Sequence, residues 1–417
     1  MKRREFLKKS SLSVIYSGVS LALLNTITSC GDSGGGTTTV NQTVPQEYNV
    51  LSFPDKIEPD KLPYPTRGLN PDVAGDVAYL ASKLKIDAGK DGGCMYGTFA
   101  SIIFGLRDAF KDDPDKLKYY AYIPTYMAIY GKGGGQGWGT LCGACNGSAL
   151  VTNLVAKLKD KGGLINKIIF FYTDNPMPAT KLKTGGNFYK PSQYVLTGTP
   201  AKGEENRAKE VASWLSNAPS VVQNDVQKLL ESGFVYSLTE DELKEPGDKE
   251  LGIETVREIL LNFDNYFKLP VPYTAICHAS VNRFLEANDY KVTYKDKTVT
   301  LYPNSIFRID RCSRLVGAMA KFTAMVLNTM YAPDAPSEWK ISDWSVYLPD
   351  MVSTGVSKEA SGCLSCHGDK SSMTLEGFPR TLKGKANSCT LCHGTNSNGQ
   401  PRLYPQGHGF WDLQFKE

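Results

Sequence analysis

The pentapeptide Cys-x-x-Cys-His occurs twice near the C-terminal end, as Cys363-Leu364-Ser365-Cys366-His367 and as Cys389-Thr390-Leu391-Cys392-His393. This pattern is the attachment signature of haem c. Its two thiols reach the two vinyl groups of one macrocycle through thioether bonds, and the adjacent histidine meets the iron from the proximal side. Zinc is the competing use of the same residue types. Zinc sites usually space their second ligand pair differently, however, and here one order repeats identically. A disulfide within each pair is the weaker alternative. A chain with two such motifs has to fold around two large, flat, covalently held groups.

The surrounding segment agrees with this. Between Ala360 and Gly409 glycines recur and regular apolar periodicity is scarce, so the stretch has few side chains with which to build a core of its own. Two macrocycles would be that core. His367 and His393 lie close in sequence, which places the haems near each other and favours rapid electron exchange. The chain has four histidines. After the two proximal ligands only His278 and His408 remain, and both are candidate distal ligands. His408 sits in the glycine-flanked loop Gly407-His408-Gly409, with an exposed loop histidine as the ordinary alternative. His278 follows Cys277 at the start of an expected helix, with a helix-cap histidine as its alternative. Met351 and Met373 could also ligate, and a ligand could come from a second subunit. Bis-histidine ligation would favour electron transfer at low potential.

The other end of the chain reads as an address. Met1–Lys9 is basic, and an apolar, small-residue run from Ser10 to Leu24 follows. These are the n-region and h-region of an export signal, and the run is short for a membrane span, which needs ~20 apolar residues. Arg3-Arg4 followed by Glu5-Phe6-Leu7-Lys8 resembles a twin-arginine signal; an ordinary secretory signal is the alternative. Ile27-Thr28-Ser29-Cys30 looks like a lipoprotein processing site, with Cys30 the lipidated first residue of the mature chain. The Gly/Ser/Thr-rich stretch after it suits a flexible tether. The alternative is a soluble periplasmic protein whose Cys30 is unused. Residues 1–29 carry five basic groups against Glu5 alone, so the formal net charge of +4 resides entirely in that segment. A neutral mature chain offers no electrostatic case for nucleic-acid binding.

Five cysteines remain: Cys94, Cys142, Cys145, Cys277 and Cys312. Each is expected near the start of a helix, where free N–H groups and partial positive charge stabilise thiolates and anionic clusters. Four of the five could bind one iron–sulfur cluster. Cys142-Gly143-Ala144-Cys145 has the spacing of the haem motif but no following histidine. Before it, six glycines crowd into residues 131–139. Ordering them is costly, and they suggest a backbone wrapped closely around something, with N–H groups available to sulfide or thiolate. A phosphate loop does not fit, because no Gly-Lys-Ser/Thr follows. Disulfides, a redox dithiol and inert buried thiols remain the other readings of these five.

The glycine run Gly133-Gly134-Gly135 and Gly139, then Cys142-Gly143-Ala144 and Gly147 opening a helix, resembles a redox-active family named for its conserved cysteines. Split-Soret cytochrome c is the haem-bearing member of that family. Cys94 ahead of a helix matches the family's first cysteine, Cys277 and Cys312 resemble its later ones, and the two C-terminal motifs resemble its haem segment. The resemblance covers roughly residues 71–410. It implies a homodimer with two haems per subunit near the dimer interface, a histidine crossing between subunits, and an iron–sulfur cluster in the helical domain. The chain departs from the family in its greater length, its lipoprotein-like front and an insert around residues 164–250.

The expected organisation is a signal peptide (1–29), a tether and extended lead-in (30–70), a helical cysteine-rich redox domain (71–340) and a dihaem segment (341–417). The fold class is mainly α with a small β contribution. Helices are expected over Asp72–Leu84, Ala201–Leu215 and Ile253–Leu261, strand-like runs such as Ile168–Tyr172 within 162–196, and a hairpin over Tyr290–Tyr302. Trp339, Trp344 and Tyr347 are expected either on a haem edge or in an ordinary core. Together these features describe an exported, lipid-anchored electron carrier on the periplasmic side of a bacterial envelope, working with redox partner proteins. The rivals are an oxidoreductase with an open ligand position and a thiol-based redox sensor or assembly protein.

Overall fold

The computed structural model of the chain describes residues 62–87 and 90–349. The segment read as an export signal, Cys30, both Cys-x-x-Cys-His motifs, Met351, Met373 and His408 lie outside these residues.

Among the described residues the fold is mainly helical, as expected, and strands form only two-stranded antiparallel ribbons. One ribbon joins β1 (Lys85–Asp87) to β2 (Lys90–Asp91). The other is the expected hairpin, in which β3 (Lys291–Tyr294) pairs with β4 (Lys297–Thr300), Val292 facing Val299.

Seven helices carry the architecture relevant to function. They are α1 (Pro71–Ala81), α2 (Gly93–Ala109), α3 (Gly143–Val155), α4 (Lys161–Asp174), α5 (Glu205–Leu215), α6 (Cys277–Ala287) and α7 (Ile306–Tyr331). The axis is α7, whose 26 residues extend ~39 Å at 1.5 Å per residue. Its start is fixed by Asp248, which accepts hydrogen bonds from Ser305 Oγ (2.7 Å) and Ile306 N (2.8 Å). It packs most extensively on α1, then on α2, α3 and α4. Both α1 and α7 are buried around most of their circumference, as a helix at the centre of a bundle must be. They approach closely because neither Gly75 nor Gly317 has a side chain: a Cβ at either would come within 2.4 Å of the Tyr189 ring wedged between them.

Two buried carboxylates tie this bundle together, each with a cation, as burial of charge requires. Asp76 on α1 receives both Nε and Nη2 of Arg207 on α5, each at 2.8 Å. Asp310 on α7 accepts from Arg314 Nε and from the Tyr79 hydroxyl, each at 2.6 Å, and lies 3.1 Å from Lys83 Nζ.

Three expectations need adjustment. Ile168–Tyr172 is not strand but the interior of α4, where Leu164, Ile168, Phe171 and Tyr172 form a buried helical stripe. The β-branched run was a weaker signal than this spacing, which packs against α3 and α7. The helix expected over Asp72–Leu84 ends at Ala81, where Ser82 Oγ turns back to the Tyr79 carbonyl (2.7 Å). The helix expected from Ala201 begins at Glu205, whereas Ile253–Leu261 is helical over the full expected range. Tyr347 joins an ordinary aromatic core, 5.9 Å from the rings of Phe188 and Phe322, and Trp344 carries Lys167 Nζ over its face at 4.3 Å.

Candidate functional site

The five cysteines of the helical region are brought into one electrostatically interacting group from four separate segments. Cys94 lies in the first turn of α2, Cys142 caps α3, Cys145 lies in the first turn of α3, and Cys277 opens α6. Cys312 departs from expectation: it lies in the second turn of α7 and not at a helix start. Its positive surroundings come from side chains instead, Arg308 one turn earlier and the adjacent Arg311.

Backbone pairing sets these segments in register. Cys142 N donates to Ala275 O (2.7 Å) and Cys277 N donates to Thr140 O (2.6 Å), a short antiparallel bridge between Leu141 and Ile276. The two cysteines are therefore held side by side by main-chain bonds, independently of side-chain packing. The first turn of α3 lies against that of α2. A Cβ on Gly143 would stand 2.6 Å from the Gly131 carbonyl and 2.9 Å from the Cβ of Cys94.

The glycine run does wrap closely around the cysteine segments, and main-chain bonds close the second half of its loop. Gln136, Gly137, Trp138, Gly139 and Thr140 all donate to carbonyls of residues 130–135 within the same loop. Closing the loop therefore uses the N–H groups of Gly137 and Gly139, while those of Gly133, Gly134 and Gly135 take no part in these bonds. Gly134, with φ +70°, could not be replaced, since a Cβ there would stand 2.9 Å from the Cβ of Cys277.

All five thiols are free. Cys142 and Cys145 are buried, while Cys94, Cys277 and Cys312 are partly exposed and line a cavity. Two couples stand out. The Cys145 thiol donates to Cys142 and lowers it to about 7, against burial, with the Tyr172 hydroxyl and the Ala144 N–H assisting. That Tyr172 hydroxyl is buried without a well-aligned hydrogen-bond partner. Cys94 in turn donates to Cys312, and together with Arg308 and Arg311 it holds that thiol well below its ordinary value. The donors move the other way: Cys94 is raised by its bond to Cys312 and by burial, and Cys145 by burial and by Cys142. Cys277 is raised chiefly by burial and next by the charge on Cys142.

The chemistry available is that of two thiol–thiolate couples with a fifth thiol beside them. Among the described residues no three Cys, His, Asp or Glu side chains gather tightly enough to hold a single metal ion. The donor set is different in kind: sulfur only, drawn from several segments, with two guanidinium groups to offset negative charge. Those properties fit an iron–sulfur cluster, whose several irons spread their ligands over a wider shell.

His278 is placed beside this group. Its Nδ1 lies 3.0 Å from the Gly139 carbonyl, which can only accept, so in the neutral ring Nδ1 carries the proton and Nε2 the lone pair. The sequence reading passed over Arg308, Arg311 and Tyr172. The four-residue spacing of Arg308 and Cys312 was the available signal for the first; Tyr172 was hidden by the strand reading of its segment.

Cys94, Cys277, His278, Arg308 and Cys312 share the wall of a cavity of about 600 Å³. Among the described residues no helix is long and apolar enough to cross a membrane.

No protein-family model matches the chain, and neither does any curated protein. Among solved structures the chain is similar to one described as "A novel iron centre in the split-Soret cytochrome c from Desulfovibrio desulfuricans ATCC 27774". The identity is 18%, the match covers 80% of this chain and 91% of that one, and the TM-score is 0.38. The likeness is distant.

Proposed function

We propose that the protein is an exported dihaem c-type cytochrome, anchored through Cys30, whose helical domain holds an iron–sulfur cluster on four of Cys94, Cys142, Cys145, Cys277 and Cys312. The observation that carries the reading is the gathering of all five thiols, from four segments, in a chain that also bears two haem-attachment motifs. Cluster and haems would each supply one-electron oxidation and reduction without bond-making catalysis by side chains.

The residues around the thiols have definable parts in this reading. Arg308 and Arg311 offset the charge of a thiolate-ligated group. Cys142 and Cys312 are the thiols most easily deprotonated at neutral pH, and so the first to act as ligands. The bridge between Leu141 and Ile276 holds Cys142 and Cys277 in place without metal. His367 and His393 would be the proximal haem ligands, with His408 and His278 as candidate distal ligands. A homodimer on the periplasmic side of the envelope, passing electrons to partner proteins, completes the proposal.

Electron paramagnetic resonance of the anaerobically purified full chain tests it. Low-spin haem signals in the oxidised protein and a separate iron–sulfur signal on reduction are expected. Haem signals alone in every redox state would remove the cluster from the proposal.

One observation favours a second reading. Three of the cysteines border an open cavity, which suits an oxidoreductase whose substrate meets the thiol-bound centre. Carbon monoxide addition to the reduced protein addresses the haem version of that reading: rapid binding would mark an open haem position, and no binding would support bis-histidine haems.

A further inference from the structure

Two buried nitrogen donors on the wall of this cavity are under-supplied with acceptors. Asn282, on α6, is only 3% exposed, and its Nδ2 has no hydrogen-bond partner. Lys83, just beyond α1, is 6% exposed. Its Nζ is ion-paired at 3.1 Å with Asp310 Oδ1, an oxygen it shares with the Tyr79 hydroxyl (2.6 Å); with three N–H donors and no aligned hydrogen bond, the ammonium keeps donor capacity to spare. The ammonium is also 3.3 Å from the centroid of the Phe234 ring, another weak substitute for an acceptor. A buried donor left without an acceptor costs ~1–3 kcal/mol, and more when it is charged.

The lining as a whole has the same bias. Seven lysines and arginines line the cavity against four aspartates and glutamates. The Asp91 and Glu242 carboxylates are taken by Lys85, which leaves more cations than acids on the wall. A cavity of about 600 Å³ falls within the ~300–1,000 Å³ typical of small-molecule sites. A water molecule could satisfy one donor, but not the excess of positive charge.

We infer that this cavity is a binding site for a small oxyanion, held by the Lys83 ammonium, the Asn282 amide and the Arg308 guanidinium beside Cys94, Cys277 and Cys312. The oxygen-borne negative charge is the feature recognised, whether it belongs to an inorganic anion or to a small organic acid. Arg308 gives Nε to the Pro303 carbonyl and Nη2 to Asn304 Oδ1 (3.3 Å), so it contributes positive charge and its remaining N–H donors to such a ligand. Burial lowers the pKa of Lys83, with Asp310 only partly restoring it, and a bound anion would favour the charged ammonium. Binding rests on the cavity alone. That the anion meets a redox centre there rests on the function proposed above.

Isothermal titration calorimetry of the full chain, with inorganic sulfate, inorganic phosphate or malonate as the probe, tests the inference. Titrations before and after iron removal separate it from the cluster reading, because the donors belong to the polypeptide. At least one probe is expected to bind with a sub-millimolar Kd, and the preferred probe distinguishes an inorganic from an organic anion. Asn282→Asp and Lys83→Met should each weaken that binding by about tenfold or more, the equivalent of ~1.4 kcal/mol. Lys118→Met, on the exposed surface, should leave it unchanged. Circular dichroism and the melting temperature establish that each variant is folded, and Asn282→Leu replaces any variant that is not. Absence of binding by all three probes at 10 mM, roughly −2.7 kcal/mol, would overturn the inference. So would folded Lys83 and Asn282 variants that bind as tightly as the parent.

Discussion

Gly143 and Cys94 are in direct apposition: a Cβ on the glycine would stand 2.9 Å from that of the cysteine and 2.6 Å from the Gly131 carbonyl oxygen. The second obstacle is main chain, so no change of rotamer relieves it. Gly143→Ala should therefore push α3 away from α2, parting the Cys142–Cys145 couple from Cys94. Overpacking of this kind costs ~1–3 kcal/mol. The expected outcome is a lower melting temperature together with loss of non-haem iron, at unchanged haem content. Normal iron loading in this variant would show that the apposition is irrelevant to the site.

Arg308 should set the reactivity of Cys312. In the iron-free chain the Cys94 thiol and the neighbouring guanidiniums hold Cys312 well below the usual thiol range. Removing positive charge disfavours the thiolate, so Arg308→Met is expected to move the pH midpoint of Cys312 alkylation upwards. Rates of iodoacetamide labelling, followed by peptide mass spectrometry across a pH series, measure the shift. An unmoved midpoint would assign the depression to Cys94 and Arg311.

Cys142 offers a parallel case with a different donor. Tyr172→Phe removes a hydroxyl that helps lower Cys142 to about 7, while Cys145, its principal partner, stays in place. The midpoint for Cys142 should rise by less than in a Cys145→Ser variant. Because Cys142 is buried, a small probe such as iodoacetamide under mild denaturant is the suitable reagent. Equal shifts in the two variants would give the tyrosine a weight that its second-rank position does not suggest.

Asp310 should be a principal source of stability in the bundle, and a pH-dependent one. Burial pushes its carboxyl up, but Arg314, Lys83 and Tyr79 outweigh that and hold it below the ordinary aspartate range. Its contribution is then fully present above the unfolded-state value of ~3.9 and fades as pH falls through the lower folded value. Asp310→Asn leaves buried cations unpaired, at a cost of ~3–5 kcal/mol near neutrality. Urea denaturation should show this gap at pH 7 and a narrowing gap below about pH 4. A pH-independent gap would mean that shape, not charge, makes residue 310 important.

Much of the scaffold was legible because local signals and tertiary packing agreed. Ile253–Leu261 shows helical spacing and residues 290–302 alternate around Asp296-Lys297; the helix and the hairpin both form, with the turn one residue earlier, at Lys295-Asp296. The segment Ile168–Tyr172 misled because its β-branched and aromatic residues favour strand locally, whereas its buried positions Ile168, Phe171 and Tyr172 stand at helical intervals that Leu164 extends by a turn. The convergence of the cysteines was legible from their placement before apolar helices. Cys312 shows the limit of that reasoning, since its charge environment comes from Arg308 across a helical turn and not from a helix start. Lys83 and Asn282 could not be found from sequence at all. Their importance is that burial leaves the Asn282 amide without an acceptor and Lys83 with Asp310 alone, which depends on the packing of distant segments.

The central claim is that the five-thiol site carries iron in addition to that of two haems. Iron and acid-labile sulfide, measured per haem on anaerobically purified full chain, test it most directly. The account predicts iron in excess of haem with matching sulfide, both lost in Cys142→Ser and Cys312→Ser variants that keep their haem. Iron equal to haem, with no sulfide, would contradict it and leave the site as a set of thiols.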